Sequence, residues 1–292
     1  MNITGKTKIA GIVGNPVGHS LSPKIHNFLF QKFGIDAVYV PFEIKNESDL
    51  ASFVQTFRSA GFIGANITIP YKSEILKYVD EIREVSQKIG AANTLYWKDG
   101  KLCATTTDYN GFIKSLPIGI HVEKDNVVIL GNGGTARTLA MLLADYEFSK
   151  KISLVARNIE KVKNLAREIN KKTNFTINCF SFDEAKDVIE NADIIINCTP
   201  VGMSPNIDAS PIDISLVNPN TYIYDAIYNP LETKLLREAR LKGCRTQNGL
   251  HMLIFQALYS FQYWTDISYE RLFDDLELVN ELEKILLKEF DK

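Results

Sequence analysis

An ammonium group and a carboxylate that can reach the same oxygen are the tools of acid/base chemistry, and this chain carries a candidate for each in a polar block. Asn66-Ile-Thr-Ile-Pro-Tyr-Lys72 reads as a strand ending in a proline turn that presents Thr68 and Lys72. A lysine held near an acceptor can donate a proton to an oxygen that gains charge during a reduction. Taken singly, Lys72 would be only a surface charge at a helix start. Its company changes the reading: Gly90-Ala-Ala-Asn93-Thr94 and Thr107-Asp108 also put polar side chains at predicted strand or helix ends. Asp108 falls at an N-cap position before Asn110-Gly-Phe-Ile-Lys114, a capping role compatible with catalysis.

Gly14-Asn-Pro-Val-Gly-His-Ser-Leu-Ser-Pro-Lys-Ile-His-Asn27 places two hydroxyls between a strand, Lys8–Val13, and a helix. Ser22-Pro23 supplies an N-cap and a proline at the first helical position, whereas Ser20 is not needed for capping. Hydroxyls beside free helix N–H groups at a strand's C-terminal end suit a carboxylate or another oxygen-rich anion.

Val127-Val-Ile-Leu130 runs into Gly131-Asn-Gly-Gly-Thr-Ala136, a G-x-G-x-x-A match between a strand and a helix. Gly131 allows the tight turn, Gly133 lets the backbone approach a pyrophosphate, and Ala136 permits close packing of helix on strand. At the end of the next strand an acidic residue would select NAD. The chain has Leu154-Val-Ala-Arg157-Asn158 and then Lys161, cations that would neutralise a 2′-phosphate, so NADP is expected.

The elements that position these groups alternate between strand and helix, which implies an α/β fold with largely parallel sheets. Strands are expected at 37–42, 62–67, 94–97 and 101–105, with a helix at 48–58 and a hairpin turn at Lys98-Asp-Gly100. A second series has strands at 127–130, 152–155, 175–180, 194–196 and 222–224, separated by helices at 135–146, 158–171 and 182–190. Residues 250–287 read as almost wholly helical, with Ser268 as a cap.

Composition excludes several classes. The 292 residues are 45% apolar and 23% charged with a net charge of -2, which offers no footprint for nucleic acid. No apolar run approaches the roughly 20 residues that span a bilayer, and Ile9–Val13 is too short for a signal-peptide core, so a cytoplasmic protein is expected. Cys103, Cys179, Cys198 and Cys244 lack C-x-x-C spacing, and His19, His26, His121 and His251 make no metal cluster. Neither a disulfide nor a metal is expected.

Together these blocks resemble the shikimate dehydrogenase family, which includes quinate/shikimate dehydrogenases. The resemblance extends to Asn197-Cys-Thr-Pro-Val-Gly-Met203, Asp225-Ala-Ile-Tyr-Asn-Pro230 and Asn248-Gly-Leu-His-Met-Leu-Ile-Phe-Gln256, and so covers nearly the whole chain. It implies reversible NADP-dependent reduction of 3-dehydroshikimate to shikimate, in aromatic amino-acid (chorismate) synthesis. Lys72 and Asp108 become the catalytic pair. Ser20 and Ser22 become carboxylate ligands, and Thr68, Asn93 and Gln256 ligands of the ring hydroxyls or of the pair. Tyr228 would lie between substrate and nicotinamide, which Gly249 and Met252 would flank. Gly131, Asn132, Gly133, Gly134, Ala136, Arg157 and Lys161 would hold the phosphates on the adenine side, and Thr199 and Val201 would line the dinucleotide groove. One block departs from the family's Gly-x-Asn-Thr-Asp-Gly: here it is Ala104-Thr-Thr-Thr-Asp-Tyr109.

The order of the blocks implies an N-terminal α/β substrate domain, residues 1–108 completed by 249–292, and a Rossmann-type doubly wound NADP domain, residues 109–248. The small-molecule enzyme so described would be a monomer or homodimer, with no nucleic-acid or membrane partner. A quinate-preferring enzyme, a methylene-tetrahydrofolate dehydrogenase and a non-catalytic sensor of a cyclohexene carboxylate or nucleotide are the other readings. The last would show no turnover.

Overall fold

In a computed structural model, residues 3–117, 120, 126–145 and 149–290 are described. They form an α/β protein whose backbone separates into two compact units, Met1–Lys114 with Leu253–Lys292, and Ser115–Met252.

The first unit opens with β1 (Lys8–Gly14), α1 (Ser22–Lys32), β2 (Ala37–Glu43), α2 (Asp49–Ser59) and β3 (Phe62–Ile67). After β4 (Glu81–Ile82) and α3 (Glu84–Ile89) come the hairpin strands β5 (Thr94–Lys98) and β6 (Lys101–Thr105), and α4 (Asp108–Ser115). The sheet order is β2-β1-β3-β5-β6-β4. β1 runs parallel to β2 and β3, and β5 is antiparallel to both of its neighbours. Asp99 at φ +50° and Gly100 at φ +74° make the tight turn between β5 and β6. Beneath the sheet, Leu50, Val54 and Phe57 of α2 pack with Ile67, Ile75, Leu95 and Leu102 in one apolar cluster.

The second unit contains β7 (Asn126–Leu130), α5 (Gly134–Asp145), β8 (Lys151–Val155), α6 (Ile159–Thr173), β9 (Asn178–Phe180), α7 (Lys186–Glu190), β10 (Ile194–Asn197), β11 (Tyr222–Asp225), α8 (Lys234–Leu241) and β12 (Arg245–Gln247). Its sheet is wholly parallel in the order β12-β11-β10-β7-β8-β9, the doubly wound arrangement with its switch between β7 and β10. β10 is buried along its whole length and β7 from Val127 onward, which is why they read as continuous apolar runs.

Helix α9 (Leu250–Trp264), α10 (Tyr269–Phe273) and α11 (Leu276–Leu287) complete the chain. From Leu253 onward they belong to the first unit. Trp264 Nε1 donates to Leu95 O at 2.9 Å, and its ring lies where a Cβ on Gly64 would fall, so only glycine fits in β3 there. Lys24 of α1 pairs with Glu289 at 2.7 Å, beyond the end of α11.

Several expectations need correction. Ser22 is not the cap of α1: the helix begins at Ser22 itself with Leu21 at the cap position. The hydroxyl spent there is that of Ser20, which accepts the Ser22 N–H at 3.3 Å. Asp108 is likewise one position inside its helix, since Thr107 O takes the first helical hydrogen bond, from Gly111 N at 2.9 Å. The strand expected at 175–180 begins only at Asn178. Ahead of it, Asn174 turns at φ +58°, and the N–H groups of Phe175 and Ile177 go to side chains of Thr173 and Asn170. The helix expected at 182–190 is interrupted at Ala185, with a 3-10 turn at Phe182–Glu184 before α7. Ser268 occupies the cap of α10 without a side-chain cap bond. Elements β4, α3, α8 and β12 go beyond those expected, while residue 146, the end of one expected helix, and His121 lie outside the described residues.

Candidate functional site

In the first unit the polar residues singled out by type converge on Asp108. Lys72, in the turn after β3, donates to Asp108 Oδ2 at 2.6 Å, and Asn93, just before β5, donates to Asp108 Oδ1 at 2.7 Å. The lysine and aspartate side chains are 18% and 10% exposed, open enough to meet a substrate and shielded enough for the pairing to be strong. Gln256 of α9 brings Oε1 to 3.4 Å from Asn93 Nδ2, while its own amide nitrogen is held by Leu253 O at 2.8 Å.

Asn93 is braced on both sides. Its Oδ1 accepts from Thr107 N and from the Thr94 hydroxyl, each at 2.8 Å, and its amide nitrogen also reaches Thr107 Oγ1 at 3.0 Å. Thr68 is fixed through its backbone, which donates to Val13 O at 2.8 Å and accepts from Tyr71 N at 2.9 Å. Its methyl group packs where a Cβ on Gly14 would fall, which joins the turn after β3 to the end of β1.

Ser22 is buried and partners the phenol of Tyr39 on β2. That phenol donates to Asn66 Oδ1 at 2.8 Å, and burial pushes its pKa well above the ordinary tyrosine value. Beside it His26 stacks on Tyr39 with ring centroids 4.5 Å apart, and full burial pushes the imidazole down to about 3. The serine turn thus leads into a polar interior. Tyr109, which follows Asp108 in the block that departs from the resemblance, is also buried.

The second unit builds its candidate site from backbone. Gly131 follows β7 at φ +110°, a conformation that favours glycine, and an added Cβ would come within 3.2 Å of Cys198 O. By contrast a Cβ on Gly133 would meet nothing within 4 Å, leaving room for phosphates at the N-terminus of α5, which Gly134 opens. Ala136 is fully buried against the sheet. Asn132 and Lys161 line a cavity of about 260 Å³ with Arg137, Asn164, Leu165 and Glu168. Arg137 grips Glu168 through two hydrogen bonds of 2.7 and 2.8 Å. Arg157 and Lys161 are exposed after β8, and the cap of α6 is supplied by Asn158, whose side chain accepts from Lys161 N at 3.0 Å. Two cations and no carboxylate at the end of β8 fit NADP better than NAD.

The groove residues after β10 and β11 share a support that the sequence reading did not isolate. Thr199 N and Oγ1 both donate to Asn197 Oδ1, and Thr199 Oγ1 accepts from Val201 N at 3.2 Å. Asn197 donates in turn to Asp225 Oδ1 at 3.0 Å, beside Ile227 N at 3.1 Å, and Thr233 donates to Asp225 Oδ2 at 2.7 Å. Burial outweighs these donors and pushes the Asp225 carboxyl up to about 6. Gly249 N donates to Ile227 O at 3.0 Å, and a Cβ on Gly249 would stand 2.2 Å from Ala226 O. That close approach draws the segment before Tyr228 against the start of α9. Met252 lies buried in the first turn of that helix, and burial raises the Tyr228 phenol.

Sequence reasoning assigned no role to Tyr39, Ser260 or Arg137, and named Thr94 only within its block. Only Ser260 had a local signal, its spacing of four from Gln256, which puts both on one helix face. No group of three or more His, Cys, Asp or Glu able to hold a metal occurs among the described residues, nor is any described helix long and apolar enough to cross a membrane.

Comparison with known proteins matches residues 12–95 to the shikimate dehydrogenase substrate binding domain and residues 116–212 to the shikimate / quinate 5-dehydrogenase family. The shikimate dehydrogenase (NADP(+)) of Pyrococcus furiosus is 43% identical over 265 residues, covering 90% of this chain and 92% of its own. A shikimate dehydrogenase crystallised with NADP+ superposes with a TM-score of 0.87 at 38% identity, covering 98% of this chain and 97% of that one. The shikimate 5-dehydrogenase of Thermus thermophilus, solved with NADP(H) and shikimate, gives 0.81 at 30% identity over 96% and 100% of the two chains.

Proposed function

We infer that this chain, which belongs to the shikimate dehydrogenase family, is an NADP-dependent oxidoreductase that reversibly reduces 3-dehydroshikimate to shikimate in aromatic amino-acid synthesis. The observation that carries the reading is the Lys72–Asp108 pair at 2.6 Å, largely shielded from solvent, with Asp108 held by Asn93.

Bound NADP supplies or accepts the hydride. The chain's own residues manage the proton and the pose. Ser20 and Ser22 take the substrate carboxylate, and Thr68 and Gln256 take ring hydroxyls. The C3 oxygen lies against Lys72 and Asp108. As that oxygen gains charge in the reductive direction, the Lys72 ammonium stabilises it, and a proton passes to it from the pair. Asp108 holds Lys72 in line, and Asn93 holds Asp108. On the second unit Gly131, Asn132, Gly133, Gly134 and Ala136 form the phosphate turn, Arg157 and Lys161 meet the 2′-phosphate, Thr199 and Val201 line the groove, and Tyr228, Gly249 and Met252 meet the nicotinamide end. We assign the protein to the cytoplasm, as a monomer or homodimer.

The test is initial rates of nicotinamide reduction with shikimate or quinate, each offered NADP or NAD. Fast NADP-dependent oxidation of shikimate is expected. A preference for quinate would move the chain to the sister activity, and no turnover with any pair would leave it a binding protein.

A further inference from the structure

One turn beyond Gln256, helix α9 carries Ser260, fully buried and unused by the reaction as described. Its hydroxyl oxygen lies 2.9 Å from Asn66 Nδ2, 2.8 Å from Thr94 Oγ1, 3.2 Å from Thr107 Oγ1 and 3.0 Å from Gln256 O. Four partners around one hydroxyl make it a junction.

Counting protons gives these contacts a direction. The buried Thr107 N–H needs an acceptor, and Asn93 Oδ1 provides it, which turns the Asn93 amide nitrogen towards Asp108 Oδ1 and Thr107 Oγ1. Thr107 Oγ1 therefore accepts from Asn93 and must donate elsewhere. Two acceptors lie within its reach, Asn93 Oδ1 and Ser260 Oγ, each at 3.2 Å; Asn93 Oδ1 already takes the shorter bonds from Thr107 N and the Thr94 hydroxyl, which leaves Ser260 Oγ the better placed. Ser260 accepts also from Asn66 and sends its own proton to Thr94 or to Gln256 O. Asn66 in turn accepts from Tyr39, the partner of Ser22. One buried network thus joins the serine turn to the lysine–aspartate pair.

We propose that Ser260 is a positioning residue for the reaction: by accepting from Thr107 and Asn66 it locks the Asn93 amide that aims Asp108 at Lys72. This rests on the reading of Lys72 and Asp108 as the reacting groups. Removing the hydroxyl leaves Thr107 free to rotate its proton and lets the Asn93–Asp108 contact drift, which slows the chemical step more than it weakens binding.

The experiment compares the full-length wild type with Ser260→Ala and Ser260→Thr in oxidation of shikimate and of C3-deuterated shikimate with NADP, alongside thermal unfolding. Ser260→Ala should lower kcat roughly tenfold, the scale of a misplaced acid/base group, with KM for shikimate within about twofold. The deuterium isotope effect on kcat should rise as chemistry becomes slower, whereas a mere loss of folded enzyme would leave it unchanged. Ser260→Thr, which keeps the hydroxyl, should recover most of the rate. A folded Ser260→Ala enzyme with wild-type kcat and isotope effect would overturn the proposal. If that variant does not fold, Ser260→Cys, close in volume but a poor acceptor, takes its place, and an unchanged kcat overturns it equally. Wild type inactive on shikimate would instead bring down the reading on which the proposal stands.

Discussion

The two units build their sites from different materials. In the first, side chains hold one another: Lys72, Asp108, Asn93, Thr107, Thr94, Asn66 and Ser260, all but the lysine buried, form one hydrogen-bonded network. In the second, the proposed phosphate turn is made by backbone, with Gly131 at a left-handed φ and open space beside Gly133, and the cations proposed to select the cofactor, Arg157 and Lys161, stand exposed after β8. A network of side chains fixes positions to fractions of an ångström but fails collectively. Backbone geometry is set by the fold and leaves its peripheral side chains independent of one another.

That contrast breaks most sharply at Lys72. Lys72→Ala should reduce kcat by roughly 10²–10⁴ while leaving thermal stability nearly unchanged, since the side chain is partly exposed and takes no part in the core. A near-normal kcat would end its catalytic role. Asn93→Ala should cost roughly 10–100-fold in kcat and, unlike the lysine change, lower the melting temperature, because Thr107 N–H and the Thr94 hydroxyl lose their acceptor. If activity falls without any loss of stability, the network is less collective than described.

Acid should separate the units. His26, neutral when folded and held down at about 3, must stay uncharged while the unfolded chain takes up a proton, so its contribution is lost as pH falls below the ordinary histidine value. Between pH 7 and 5 that costs the first unit about 2 kcal/mol. Asp225 works in the opposite sense. Its carboxyl, raised to about 6, binds a proton in the folded state before the unfolded chain does, which adds about 1 kcal/mol to the second unit over the same interval. Hydrogen exchange resolved by segment should show protection falling around α1 and rising around β11, and His26→Phe and Asp225→Asn should each flatten its own trend. Equal changes in both variants would refute the assignment. The smallest effect belongs to the rim: Arg157→Ala should raise KM for NADP by about tenfold, the loss of one charge-assisted contact, with kcat, stability and the response to NAD unchanged.

What could be read in advance follows the same division. The glycine turn after β7 was legible because glycine spacing between a strand and a helix encodes a backbone shape directly, and the parallel strands because burial on both faces leaves unbroken apolar runs. β12 was not, since Arg245-Thr-Gln247 is a short polar edge strand without such a run. Lys72 and Asp108 were legible as chemical types. The bonds that aim them were not: Thr94 and Ser260 are 166 positions apart, and no local pattern announces that their hydroxyls meet. The helix start at Ser20 and Ser22 was misread for the opposite reason: Ser22 has the type of a good cap, but the backbone puts Leu21 at the cap position between the two serines, and neither hydroxyl caps α1.

Arg157 and Lys161 also have a practical side. Neither caps α6, a task left to Asn158, and neither is packed in the core. On the role proposed for these two cations, cofactor preference is a detachable trait: a designer wishing to couple the protein to a different nicotinamide pool would rewrite two surface positions and leave the architecture beneath them alone.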